Sequence, residues 1–521
     1  MFKRSGWFFL VLCLSVGAYA TYSISLVPLD SRPANTYSPK MIAKMAGFEI
    51  TMPDSLDYYK TPGDCDKTAK WLLETEADCY VISISQLLYG GLIASRTSEV
   101  PFLVAKERLE TLRELRKRSQ NKPIYVFDTI QRLAITTTDY RASRYYSSVH
   151  NWAILKDEVE NLGQEYKRGE LEALESFIPT DIIEDYLAAR ERNHEINCIL
   201  IDMVSEGIID FLVLAQDDAS TTGLHRAERE VLKNKAAELD VLDKVAIFPG
   251  ADEVGVVLVS RGINKLLNIE PTFTVFYRGV DGNTWIAPLE DISFAENIRR
   301  HMSAAGARLS PNGDIKFFVS TPGGSNETFV QRIKKEMELG QKVVVCDVND
   351  LNRAEPALFR TLLRNIELRN LQGFAGWNTA GNTLGLALGQ GVAAVAREDL
   401  TGKEHQLATE AHIEYLLSRY AKDYYYKSLS KSSIESWAYS QGYDPFDLPK
   451  SHFSLIEGQM NDYLIANLFY FYDQHFANKE IASYRLPEEI GWDIYLVWPR
   501  FFEIAIEPKV ELDVINEQIT Q

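Results

Sequence analysis

A chain of 521 residues is too long for one ordinary core, so one large α/β unit with extensions, or two to three domains, is expected. With 46% apolar and 25% charged residues and no low-complexity tract, the composition is that of a soluble globular protein with an ample core. The formal net charge of −18 repels phosphate backbones and anionic lipid, which disfavours nucleic-acid and membrane-surface binding.

In chain order, the first element is an export signal. Lys3 and Arg4 precede the apolar run "WFFLVLCLSVGAYA", which ends in Ala18-Tyr19-Ala20. A basic start, a short apolar run and a small-x-small end over residues 1–20 make a cleavable secretory signal, and predict a secreted or periplasmic protein. The alternative is an uncleaved anchor, but the run falls short of the ~20 residues a spanning helix needs. Cys13 follows Leu12, unlike a lipoprotein cysteine, and no later segment is apolar and long enough to span, so no stable membrane insertion is expected after cleavage. Cleavage removes two cations, leaving 53 (55 − 2) against 73 acids, or −20. Cys65, Cys79, Cys198 and Cys346 remain, in no zinc-binding spacing. Cys346, inside "VVVCDV", reads as a core thiol, and Cys65 with Cys79 is open to pairing in an oxidising compartment.

Ten β-rich runs follow: "SISLVPLD" (23–30), "FEITMPD" (48–54), "CYVISIS" (79–85), "PIYVFDT" (123–129), "FLVLAQDD" (211–218), "KVAIFPG" (244–250), "TFTVFYRG" (272–279), "IKFFVSTPGG" (315–324), "KVVVCDVND" (342–350) and "GFAGWNT" (373–379). Many are apolar throughout, as strands buried on both faces of a parallel sheet are, and amphipathic helical stretches separate them. This predicts an α/β fold with parallel-sheet strand–helix alternation. Ten strands exceed an eight-stranded barrel, so two lobes are favoured, with a (β/α)8-like barrel plus extra strands as the alternative. The expected division is a first lobe over 21–260 with a helical insertion at 140–205, a second lobe over 261–401, and a helical, aromatic-rich region over 402–521.

Ligands in such folds bind at the carboxyl ends of the strands, and those positions are polar here. They carry Asp30, Arg32 and Asn35; Gln86 and Arg96; Asp128 and Arg132; Gln216, Asp217, Asp218 and His225; Asp252 and Glu253; Asp347 and Asp350; and Asn378 with Asn382. A single strand-end Asp is explained by helix capping. Acids at five of ten strand ends, twice as adjacent pairs, exceed what capping needs. Neighbouring carboxylates raise each other's pKa, which suits acid–base catalysis and also suits a divalent cation. Arg32, Arg96 and Arg132 are candidate counter-charges or anion ligands, with structural ion pairing as the plainer alternative. His225 is either a helix-surface residue or a site residue. "GWNTAGNTLG" places Trp377, Asn378 and Asn382 at a strand-to-helix turn, where amides read hydroxyl or acetamido groups and an indole stacks on a sugar; a glycine-rich turn with a core tryptophan is the alternative. There is no G-x-S-x-G elbow, no phosphate loop with its lysine and no H-E-x-x-H, so no cofactor and no zinc site are predicted.

The stretches "PLDSRPAN", "LLYGGLIASR", "QDDAS", "PGADEVG", "GWNTAGNTLG" and "WPRFFEI" together resemble an uncharacterised, mainly bacterial family, domain of unknown function 4127. The resemblance covers nearly all of the mature chain and implies no reaction. "PGADEV" also resembles the Gly-Asp-Glu strand end of hexosaminidases that use the substrate's acetamido group. That likeness implies that Asp252 orients the group and Glu253 protonates the leaving oxygen.

The functional expectation is an exported hydrolase of glycosidic bonds in an envelope or extracellular glycan. Its catalytic set is Glu253 as acid, Asp252 as orienting group, and Asp217 or Asp218 as partner, with a carbohydrate or other small polar substrate. The alternatives are a non-catalytic exported solute or glycan binder, and a divalent-metal hydrolase using Asp30, Asp128, Asp217 and Asp347.

Overall fold

The computed structural model describes residues 22–137 and 140–515, so the signal expected at 1–20 lies outside the described residues. Each of the ten predicted runs holds a strand. They are β1 (Ser23–Val27), β2 (Glu49–Thr51), β3 (Cys79–Ser83), β4 (Ile124–Ile130), β5 (Phe211–Gln216), β6 (Val245–Pro249), β7 (Thr272–Tyr277), β9 (Ile315–Ser320), β10 (Lys342–Asp347) and β11 (Gly373–Ala375). The addition, β8 (Arg308–Leu309), is two exposed residues with no apolar run to announce it.

Two parallel sheets result, ordered β2-β1-β3-β4-β5-β6 and β11-β10-β9-β7-β8. Read from β8, the second repeats the winding of the first: β7 lies between β8 and β9 as β1 lies between β2 and β3. Both are open sheets, so the fold is α/β with two parallel-sheet lobes, and the barrel alternative does not hold. The central strands β3, β4 and β5 are buried along their whole length, as their unbroken apolar runs require.

The two lobes share one core. Helices Tyr37–Met45 and Val254–Leu267 cover the inner face of the first sheet, and helix Ala380–Ala396 covers that of the second. These helices pack on one another. A single apolar cluster therefore runs from Ile24, Val81 and Val213 through Val256 and Leu384 to Phe273, Phe317 and Val344. At Gly385 the Val254–Leu267 and Ala380–Ala396 helices approach so closely that a Cβ would fall 2.3 Å from Glu253 Cγ. The outer faces have their own cores, with Ile82 and Leu212 against Ile196 and Leu200, and Phe318 and Phe374 against Leu358 and Leu416.

Between β4 and β5 run helices Tyr146–Glu160, Arg168–Phe177 and Thr180–Ser205. After β11 comes helix Gly402–Arg419, which continues as a π-helix over Tyr420–Ser430. The chain returns as an antiparallel hairpin, Gly491–Leu496 with Ile504–Lys509. Cys65 and Cys79 are separate buried thiols, so the pairing considered from sequence is not made. Among the described residues no helix is long and apolar enough to cross a membrane.

Candidate functional site

The carboxyl edges of both sheets open onto one cavity of about 300 Å³. From the first sheet come Arg32 after β1, Leu92 and Arg96 after β3, Arg132 after β4, Asp217 and Asp218 after β5, and Asp252 after β6. The second sheet supplies Leu289 after β7, Asn352 after β10, and Asn378 and Asn382 after β11. Tyr59 and the hairpin connection, with Trp498, Arg500 and Phe502, close the wall. The cavity lies at the β1/β3 reversal of strand order, where doubly wound sheets leave a crevice.

The backbone around the cavity is strained. Nine described residues other than glycine have positive φ, and five of them line it: Tyr59, Asp218, Leu289, Asn352 and Asn378. Each such conformation costs on the order of 1–3 kcal/mol and persists only where its surroundings impose it. Their gathering at one place marks the cavity as a built site.

Its charges are arranged in pairs. Arg32 joins two carboxylates, donating to Asp30 Oδ2 at 2.6 Å and to Asp252 Oδ1 at 2.5 Å. Asn35 Nδ2 donates to Asp30 at 2.8 Å, and Asn378 Nδ2 donates to Asp252 at 3.0 Å. Burial pushes the Asp252 carboxyl up to about 6, against the pull of Arg32. Arg96 pairs with Asp217. Arg132 stands 3.6 Å from Asp218, whose carboxyl is raised first by burial and then by the neighbouring Asp217. Asp218 accepts no hydrogen bond among the described residues, so beyond its ion pair with Arg132 its oxygens are not taken by a donor.

The turn that presents Asp252 needs its particular residues. Gly250 has φ +143°, and a Cβ there would lie 1.9 Å from Glu253 Oε1. The Ala251 N–H donates to Glu253 Oε2 at 2.9 Å, and the Asp252 N–H donates to Asn382 Oδ1 at 3.0 Å. Thr379 caps the Ala380–Ala396 helix and holds the Asn382 amide at 2.9 Å.

Residues 24–507 match the family model described as "Protein of unknown function (DUF4127)". The chain belongs to the DUF4127 family. No curated protein matches it. Each of the six stretches that carried the resemblance places at least one residue of this DUF4127 chain in the cavity wall: Arg32, Arg96, Asp217, Asp252, Asn378 and Trp498 are examples.

Of the residues singled out from sequence, the DUF4127 cavity gathers Asp217, Asp218, Asp252, Arg32, Arg96, Arg132, Asn378 and Asn382 at its surface. Asp30 and Asn35 stand behind Arg32 and Asp252. Others lie elsewhere. Glu253 is fully buried, turned back onto Ala251, with His301 Nε2 at 3.1 Å, so it braces the turn and does not face the cavity. His301 Nδ1 also sits 3.1 Å from the Asn297 carbonyl, so the ring is held at both nitrogens. Gln86 is fully buried in helix Ile84–Tyr89 and does not reach the cavity. Asp128 takes the Ser85 hydroxyl at 3.0 Å, and burial pushes its carboxyl up to about 7. His225 is buried against the backbone of Ser220, and burial pushes it down to about 3, so it is a neutral brace of the loop after Asp218, not a surface residue. Trp377 is buried in the shared core, so it offers no face to a sugar. Asn378 precedes the helix with φ +62°, so it and Asn382 do not share a helical face.

Asp347, tied to the Glu355 N–H at 2.7 Å, lies away from the cavity. With Asp30, Asp128 and Asp217 it forms no metal-ligand group, and none of three or more His, Cys, Asp or Glu occurs among the described residues. Sequence reasoning missed Tyr59, Lys60, Asn352, Trp498, Arg500 and Phe502. The one available signal was "WPRFFEI", which carries part of the family resemblance and contains Trp498, Arg500 and Phe502.

Proposed function

We propose that this protein is an exported hydrolase acting on glycosidic bonds of an envelope or extracellular glycan, with its chemistry carried by Asp218, Asp217 and Asp252. The carrying observation is that these three carboxylates, from the ends of β5 and β6, face one cavity rimmed by amides and aromatics. Glycoside cleavage needs one carboxyl group to deliver a proton to the departing oxygen and a second to assist attack at the anomeric carbon. Asp218 suits the donor: its carboxyl is raised and bears no hydrogen bond that protonation would break. In the forward reaction its proton passes to the glycosidic oxygen as the C–O bond breaks. Water supplies the new C–O bond, and its proton returns to a carboxylate. Asp252, held by Arg32 and Asn378, is the fixed anion beside it. Asn352, Asn378 and Asn382 suit hydroxyl or acetamido groups.

The binder alternative fits the neutralised charge pairs. It fits less well with the continuous core between the lobes, because a large apolar interface opposes the hinge closure that two-lobed solute binders use. A panel of aryl glycosides separates the two. Asp218→Asn is expected to lose about 100-fold or more in kcat with its melting temperature kept, while Glu253→Gln, behind the turn, keeps the acidic limb of the pH profile. Ligand binding without turnover on any glycan would support the binder, and full activity in Asp218→Asn would remove Asp218 from the donor role.

A further inference from the structure

Four of the five cations at the cavity are already matched by carboxylates: Arg32 by Asp30 and Asp252, Arg96 by Asp217, Arg132 by Asp218, and Lys60 by Asp447 at 3.2 Å. Arg500 is different. Among the described residues it makes no ion pair and no side-chain hydrogen bond, and its Nε is buried without a partner. Its guanidinium lies 4.7 Å from the Trp498 ring centroid, 5.2 Å from that of Tyr59 and 5.2 Å from that of Phe502. Trp498 is itself pinned by its indole N–H to Ser31 Oγ at 2.8 Å. Three rings thus flank a guanidinium whose donors no protein group among the described residues satisfies. The strained backbone of Tyr59, φ +55°, holds one of those rings in place.

A half-buried cation flanked by aromatic rings, with its Nε shut away from water, keeps its planar fork for an incoming anion. A neutral sugar would leave that charge unanswered, at a cost to binding. We propose that Arg500 is an anion-recognition subsite, and that the ligand is a sugar bearing a negatively charged substituent, a carboxylate or a sulfate. This rests on the reading of the cavity as a sugar site and adds its substrate class: an acidic glycan.

The test is direct binding, so it does not depend on turnover. The mature protein is titrated with glucuronate, glucose 6-sulfate and glucose, read by calorimetry and by the fluorescence of tryptophan, since Trp498 abuts the subsite. Glucuronate or the sulfate is expected to bind about tenfold or more tightly than glucose. Arg500→Gln should erase that preference, and Arg500→Lys should keep part of it, with melting temperatures reporting the fold of each. Preference for glucuronate alone assigns a carboxylate, and preference for the sulfate alone assigns a sulfate. Equal affinity for all three, no binding by any, or a preference that survives in folded Arg500→Gln overturns the proposal. If acidic sugars bind with the expected preference and no glycoside is cleaved, the hydrolase reading fails and the subsite stands.

Discussion

At Asp128 one carboxylate oxygen takes the Ser85 hydroxyl and the other meets no donor. The folded carboxyl titrates at about 7, against roughly 4 in an unfolded chain. The folded state therefore holds this proton more tightly. The stability it gives is full below about pH 4 and is lost as pH rises through about 7. Asp128→Asn has nearly the same shape and never ionises. Relative to wild type, it should be more favourable at pH 8.5 than at pH 5 by at least about 1 kcal/mol. Urea melts at the two pH values measure this, and an equal difference at both would contradict an ionisable buried carboxyl. Asp128 shows what sequence can say at this scale. It correctly marks an acid near a strand end, but whether the side chain points to the cavity or away from it depends on one step of the pleat. Asp252 and Glu253 are adjacent in the chain, yet one faces the cavity and the other is enclosed by Gly250, Gly385 and His301.

The elements were far more legible than the loops, because a strand buried on both faces must be apolar along its length. All ten β-rich runs hold strands, most of them largely buried, whereas β8, with two exposed residues, left no trace. The closing segment "IYLVWPRFFEIAIEP" reads from sequence as one or two strands returning to the body, and it forms two, with Pro499 in the connection that bears Trp498 and Arg500. Turns are where a single residue has the largest effect. Gly250→Ala would put a methyl group against a carboxylate that cannot retreat, at a φ that disfavours any side chain. The expected cost is about 2–4 kcal/mol, with weakened ligand binding because Asp252 moves with the turn. Thermal melts and ligand titration check both, and a variant as stable as wild type would mean that Glu253 can move.

For the molecule as a whole, the shared apolar cluster decides how it unfolds. Neither sheet can expose its inner helices without uncovering residues such as Val256, Val257 and Leu384. One cooperative transition is therefore expected in scanning calorimetry. A fragment ending near residue 270 should be insoluble or molten, because it keeps the Val254–Leu267 helix but lacks the face that buries it. Two resolved transitions, or a well-folded fragment, would show that the halves are independent. The sequence pointed to two strand–helix series, but the merging of their cores depended on the small residues of the Ala380–Ala396 helix, which the linear pattern marks only as a turn followed by a helix.

The matched winding of the two sheets has a further effect. Every wall residue from the ends of β7, β10 and β11 is uncharged, while the acids stand on the opposite side, after β5 and β6. Charge is thus split between the halves: one carries the acids of the wall and the other carries its amides. Exchanging the loop after β10 would reshape the wall at Asn352, whereas the loop after β11 also holds Asp252 through Asn378 and Asn382 and would disturb that acid if exchanged.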